Sequence, residues 1–128
     1  MESRKKIAAE KKRCGQYNCA QAILCTYYDR AGISEETAAN VGGSFAAGMG
    51  TMEGTCGALV GAGMVLGLVN KDKSKSVQEM RQIMNKFKER NGATQCYMLK
   101  GLETNKVLRE CPDCVADAAE FLEEIINK

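Results

Sequence analysis

Histidine is absent from this 128-residue chain, and so is tryptophan. Without an imidazole there is no Ser-His-Asp triad, no Cys-His nucleophile pair and no histidine ligand for a metal. Aromatic side chains are scarce, three Phe and four Tyr. The core must therefore come from Leu, Ile, Val, Met and Ala, which suits helix packed on helix. A lone proline, Pro112, is too little turn punctuation for the many strands of a sandwich or barrel. The net charge of +2 lacks the basic excess of a dedicated nucleic-acid binder. Long apolar runs are missing too. The longest, Ala58 to Val69, is too short to span a bilayer and is rich in glycine. The first 13 residues are charged, with no apolar stretch of a secretory signal. These absences point to one domain over 1–128, cytoplasmic, with no membrane insertion and no nucleic-acid partner.

What is present is thiol. Seven cysteines in a chain with no export signal, and an odd number of them, favour redox chemistry or metal binding over a structural disulfide framework. The N-terminus also clusters cations, Arg4-Lys5-Lys6 and Lys11-Lys12-Arg13, two helical turns apart on one face. A solvated helix face is the expected role; a docking stripe for an acidic partner is the sharper alternative.

The pattern predicts an all-α, compact bundle of about five to seven helices. Residues 3–13 form a charged helix with a weak apolar face at Ile7 and Ala8, broken by Gly15. Asn18 caps a second helix from Cys19 to about Arg30, ended by Gly32. Ser34 caps a short third helix with Glu35 and Glu36 in its first turn. A glycine-rich connection, GGSFAAGMGTMEG, leads to Thr55, the expected cap of a helix from Cys56 to Leu68. Asp72 or Ser74 caps the next, with Val77, Met80, Met84 and Phe87 as its stripe and Gly92 as its stop. Thr94 caps a short helix through Cys96, Met98 and Leu99. The last starts at Cys111-Pro112 and buries Val115, Ala119, Leu122 and Ile126.

The segment GTCGALVGAGMVLGL, residues 54–68, decides the centre of the bundle. It lacks both the strand-GxGxxG-helix context of a dinucleotide site and the Gly-Lys-Ser/Thr of a phosphate loop. Its glycines recur at four-residue spacing, Gly57 with Gly61 and Gly63 with Gly67, giving a smooth face for a close helix neighbour. Each costs roughly 1 kcal/mol of helix propensity, to be offset by burial. The segment is therefore the glycine-rich central helix. Its smooth face could meet another helix of this chain or of a second subunit, as in a homodimer.

Cys19, Cys56, Cys96 and Cys111 each fall at or in the first turn of a predicted helix. Unpaired N–H groups and the positive dipole end there should favour thiolate and lower the thiol pKa. Cys111-Pro-Asp-Cys114 adds a C-x-x-C at a helix start, where the second thiol could resolve the first. Cys25 lies six residues after Cys19, about 120° round the helix, and reads as a small buried hydrophobe. Cys14 sits at a frayed helix end.

Taken together, YNCAQAIL (17–24), GGSFAAGMG, TCGALVGAG, FKERNGATQC (87–96) and ECPDCVADAAEFL (110–122) resemble the segments of the CGAxxG redox-active protein family over nearly the whole chain. The resemblance implies family cysteines at Cys19, Cys56, Cys96 and Cys111, with Cys14, Cys25 and Cys114 as extras. The leading expectation is a thiol-based redox protein, of the thiol–disulfide oxidoreductase type, acting on an unknown redox partner or small molecule and requiring no cofactor. Cys56, backed by a rigid helix, is the expected attacking thiol, with Cys19, Cys96 or Cys111 resolving it and Cys114 as a further candidate. The alternative is a module binding Zn, an Fe–S cluster or Cu(I) through Cys19, Cys56, Cys96 and Cys111. A helical interaction domain with merely packed cysteines is the bland third.

Overall fold

The computed structural model describes residues 2–102 and 104–127. Among them are seven helices: α1 (Lys5–Arg13), α2 (Cys19–Ala31), α3 (Glu35–Gly42), α4 (Gly57–Asn70), α5 (Lys73–Asn91), α6 (Cys96–Lys100) and α7 (Cys111–Ile126). Their β structure is confined to one bridge, Thr55 with Gln95. The all-α expectation holds. No described helix is long and apolar enough to cross a membrane.

Helix α4 is central and packs against α2, α5 and α7, while α1 lies along α7 and α3 against α2. Ile23, Leu24 and Tyr27 of α2, Leu59, Val65 and Leu66 of α4, Ile83 and Phe87 of α5, and Val115 and Leu122 of α7 form the sealed core. The glycine face works as expected in its first half. A Cβ on Gly61 would lie 2.9 Å from the Ala20 carbonyl oxygen and 3.0 Å from Ile23 Cβ, so only glycine lets α2 come this close. The second half differs: nothing lies within 4 Å of a Cβ on Gly67.

Side-chain caps follow the sequence at three helices. Asn18 and Gln21 form a capping box on α2, Ser34 accepts from the Thr37 N–H, and Asp72, not Ser74, accepts from the Lys75 N–H. Two starts move by one residue. Helix α4 begins at Gly57 with Cys56 as its N-cap, and α6 begins at Cys96 after Gln95. The cause is the Thr55–Gln95 bridge. Cys56 N–H donates to Thr94 O (2.8 Å) and Cys96 N–H to Gly54 O (3.0 Å), so both chains stay extended one residue longer.

The N-terminal cations divide: Lys6 and Arg13 are exposed, as a solvated face requires, whereas three others bind neighbouring helices. Arg4 pairs with Asp29 (2.6 Å), Lys5 with Glu120 (2.9 Å), and Lys11 Nζ donates to Cys25 O (2.6 Å). Helix α1 is thereby clamped to α2 and α7. It buries Ala8 and Ala9, whereas Ile7 is 56% exposed. The stripe of α5 likewise starts later than its spacing suggests: Val77 is 50% exposed, and burial begins around Met80, Ile83 and Phe87.

Candidate functional site

Three helix starts converge at one end of the bundle. Cys19 is the first residue of α2, Cys56 is the N-cap of α4, and Cys111 and Cys114 lie in the first turn of α7. Local chemistry fixes each. Asn18 holds the α2 start through its box with Gln21 and donates from Nδ2 to Gly42 O at 3.0 Å. Gly57 lets α4 meet it, since a Cβ there would stand 3.2 Å from Cys19 Cβ and 3.0 Å from Phe45 O. Arg109 anchors the approach to α7 with two hydrogen bonds to buried Asp117, at 2.9 and 3.1 Å. The connection between α3 and α4 covers one side. Gly48 takes φ +59 there, and a Cβ on it would lie 2.7 Å from Cys96 Cβ.

The result is a cavity of about 130 Å³ lined by Cys19, Cys56, Cys96, Cys111 and Cys114, together with Lys12, Lys100 and Arg109. Four of the thiols are neighbours in a row, Cys111 beside Cys19, Cys19 beside Cys56, and Cys56 beside Cys114, each near enough to bear on the next one's ionisation. Lys100 stands by the Cys111 end. At the other end the Cys114 thiol donates to Arg109 O at 3.8 Å. Cys96 lines the cavity but stands beside the row, its thiol donating to Met52 Sδ at 3.8 Å.

The C-x-x-C pair is thus split. Cys111 is partnered with Cys19 and Cys114 with Cys56, so the two thiols of one helix serve two different neighbours. Cys25, fully buried, faces Glu35 O (3.9 Å), and exposed Cys14 turns to Lys11 O (3.4 Å); neither lines the cavity.

Helix-start reasoning expects thiols that ionise easily. The opposite obtains. For Cys19 the neighbouring Cys111 favours thiolate, but Cys56 and burial outweigh it, and the thiol is pushed up to about 12. Cys56 is pushed up to about 12 by neighbouring Cys114 and by burial, against a smaller opposing effect of Cys19. Cys111 is raised by neighbouring Cys19 and by burial, with Lys100 opposing. Burial pushes the Cys96 thiol up as well. Crowded thiols share protons, and one charge in the row disfavours the next. That coupling exceeds the dipole's help of at most about 1–2 kcal/mol.

Among the described residues, no group of three or more Cys, Asp or Glu side chains is placed to hold a metal ion.

The family model described as "Putative redox-active protein (C_GCAxxG_C_C)" matches residues 17–125. The chain belongs to this family. All five cavity cysteines of this redox-active family member fall inside the matched residues, whereas Cys14 and Lys12 precede them. No curated protein and no solved structure matches the chain.

Lys12 and Lys100 are cavity residues that the sequence did not single out. Lys12 stands in the cationic cluster of α1, where nothing in the spacing sets it apart from Lys11, which holds α2, or from the exposed Lys6 and Arg13. Lys100 follows Cys96 by four residues, one helical turn, and that spacing was the available signal.

Proposed function

We propose that this chain is a thiol–disulfide redox protein in which Cys19 and Cys111 exchange with substrate and Cys56 and Cys114 form a second pair behind them. What carries the reading is the gathering of Cys111, Cys19, Cys56 and Cys114 around one cavity, each thiol influencing the next. Exposure divides the row. Cys111 and Cys19 are half-buried, whereas Cys56 and Cys114 are 4% and 2% exposed. Attack depends on access as well as on thiolate, so the outer pair meets substrate first. Cys56, expected from sequence to attack, suits the receiving role better, since it is buried while Cys19 and Cys111 are not.

The thiolate of one outer cysteine attacks a sulfur of a disulfide RSSR, forming a mixed disulfide and releasing RS⁻, which takes up a proton. The other outer thiol loses its proton, attacks the cysteine sulfur of that mixed disulfide and releases the second RSH. Two electrons have left the chain, and one disulfide, Cys19–Cys111, remains. Cys56 can then attack Cys19, with Cys111 leaving beside the Lys100 ammonium. Cys114 attacks Cys56 in turn and frees Cys19. An external dithiol returns the electrons and resets the row. A reducing compartment such as the cytoplasm supplies such dithiols.

Titrating the anaerobically reduced chain with a small disulfide, followed by intact mass and peptide mapping, tests this. The first two-electron product should be Cys19–Cys111 or, once the relay has run, Cys56–Cys114, and the second should hold both. Cys111→Ser should slow the first exchange and abolish the Cys19–Cys111 product, leaving Cys19 to pass its mixed disulfide directly to Cys56. A reduced chain whose native mass includes a metal that oxidation releases would overturn the proposal in favour of a ligand set. Links through Cys14 between chains alone would overturn it too.

A further inference from the structure

The cavity carries positive charge that no ion pair among the described residues neutralises. Lys12, in the last turn of α1, and Lys100, at the end of α6, both line it. The ion pairs among the described residues engage other cations and neither of these. The third cation of the lining, Arg109, is satisfied by Asp117. No Asp or Glu side chain lines the cavity. Lys12 acts on the Cys19 and Cys96 thiols, and Lys100 on Cys96, Cys111 and Cys19, so both charges bear on the reacting sulfurs. The starts of α2, α4 and α7 add their positive ends at the same place. With Cys19, Cys56 and Cys111 held protonated, these three thiols supply no counter-charge at neutral pH.

The counter-charge must therefore arrive with the ligand. The reacting sulfurs are recessed in a cavity of about 130 Å³, a shape that suits one arm of a small molecule better than the backbone of a folded partner. We infer that the substrate of this site is a low-molecular-weight disulfide bearing carboxylate or phosphate groups, its anionic arms held by Lys12 and Lys100 while its sulfur meets the Cys19–Cys111 pair. The inference rests on the redox reading above. It also suits the products, since each exchange releases an anionic thiolate beside Lys100.

The test compares three small disulfides of different charge against the fully reduced chain: dithiodiglycolate (anionic), bis(2-hydroxyethyl) disulfide (neutral) and cystamine (cationic). Each rate is divided by the rate of the same disulfide with dithiothreitol, which removes intrinsic reactivity. The anionic probe should lead the cationic one by about tenfold or more at low salt, with the gap narrowing as salt is added. Lys12→Gln and Lys100→Gln should each shrink the anionic-to-neutral ratio, while Lys73→Gln, at the start of α5 and away from the cavity, leaves it unchanged. A cationic probe as fast as the anionic one overturns the inference, as does a ratio that survives both cavity substitutions. So does a folded protein disulfide that outruns all three probes. Those results leave the redox reading standing. A chain that reduces no disulfide at all sinks the redox reading, and the substrate class with it.

Discussion

Helices α2 and α7 meet at both of their ends, and the two meetings use opposite kinds of polar chemistry. Toward their C-terminal ends, buried Glu123 accepts from the Tyr27 hydroxyl, the Ser3 hydroxyl (2.7 Å) and the Arg4 N–H (2.7 Å), and the Arg4 guanidinium closes on Asp29. Every group there has a strong, charged or short-range partner. At their N-terminal ends, Cys19 and Cys111 have each other, a third thiol and one lysine. Thiols are weak donors and weak acceptors, so such contacts cost little to exchange. A strong network fixes an arrangement; a weak one permits rearrangement. The molecule holds its helices at one end and leaves the other end free to change bonds.

Alkaline titration is the broadest way to break this contrast, because it reaches several groups at once. Cys19 and Cys56 have folded values of about 12 against an ordinary 9.0, so their contribution to stability is intact below pH 9 and is lost as pH rises toward 12. Tyr27, raised by burial and by Glu123, adds to the loss above its ordinary 10.0. Melting temperature should fall steadily across this window. The Cys19→Ser, Cys56→Ser double variant should flatten the slope from its onset, and Tyr27→Phe should flatten only its upper part. Equal slopes in all three would mean that neither end is protonated as described.

Glu123→Ala attacks the clamp directly. It strands the Tyr27 hydroxyl and the Arg4 N–H, and should cost about 2–4 kcal/mol in denaturant unfolding, with the thiol reactivity of the remaining folded protein unchanged. A loss below about 0.5 kcal/mol would show that the clamp is not what holds these ends together.

The smallest effects come from α4 and have opposite signs. Gly61→Ala drives a methyl against the Ala20 carbonyl and should destabilise by about 1–3 kcal/mol while parting Cys19 from Cys56. Gly67→Ala meets open space and should stabilise by about 0.5–1 kcal/mol. If both stabilise, the close approach of α2 and α4 is not as tight as described.

Much of this was legible in the sequence, and the limits have physical causes. Caps at Asn18 and Ser34 and glycine stops at Gly32 and Gly92 are local signals, and they placed α2, α3 and the end of α5 to within about a residue. The starts of α4 and α6 shifted because the bridge joining Thr55 to Gln95 is a contact between distant residues. All five cavity cysteines were named in advance, since helix starts are visible in sequence. Their order in the row was not, because it depends on how α2, α4 and α7 cross. The direction of the pKa shifts failed for the same reason. The dipole belongs to one helix and can be read locally, whereas thiol–thiol coupling exists only once three helices have met. Lys12 was named only as part of a cationic stripe, because its place at the cavity depends on how α1 packs.

Helix α7 contributes a cysteine to each half of the row, and that has a topological consequence. Reduced, the chain is an open string. A Cys19–Cys111 bond would close most of it into a ring, and a Cys56–Cys114 bond would close a second ring sharing the α7 start. For loops of this size each closure removes unfolded-state entropy worth about 4 kcal/mol. Electron content would then be written into mechanical durability, with the oxidised form slower to unravel and harder to digest, so that resistance to a protease becomes a readout of the protein's own redox state.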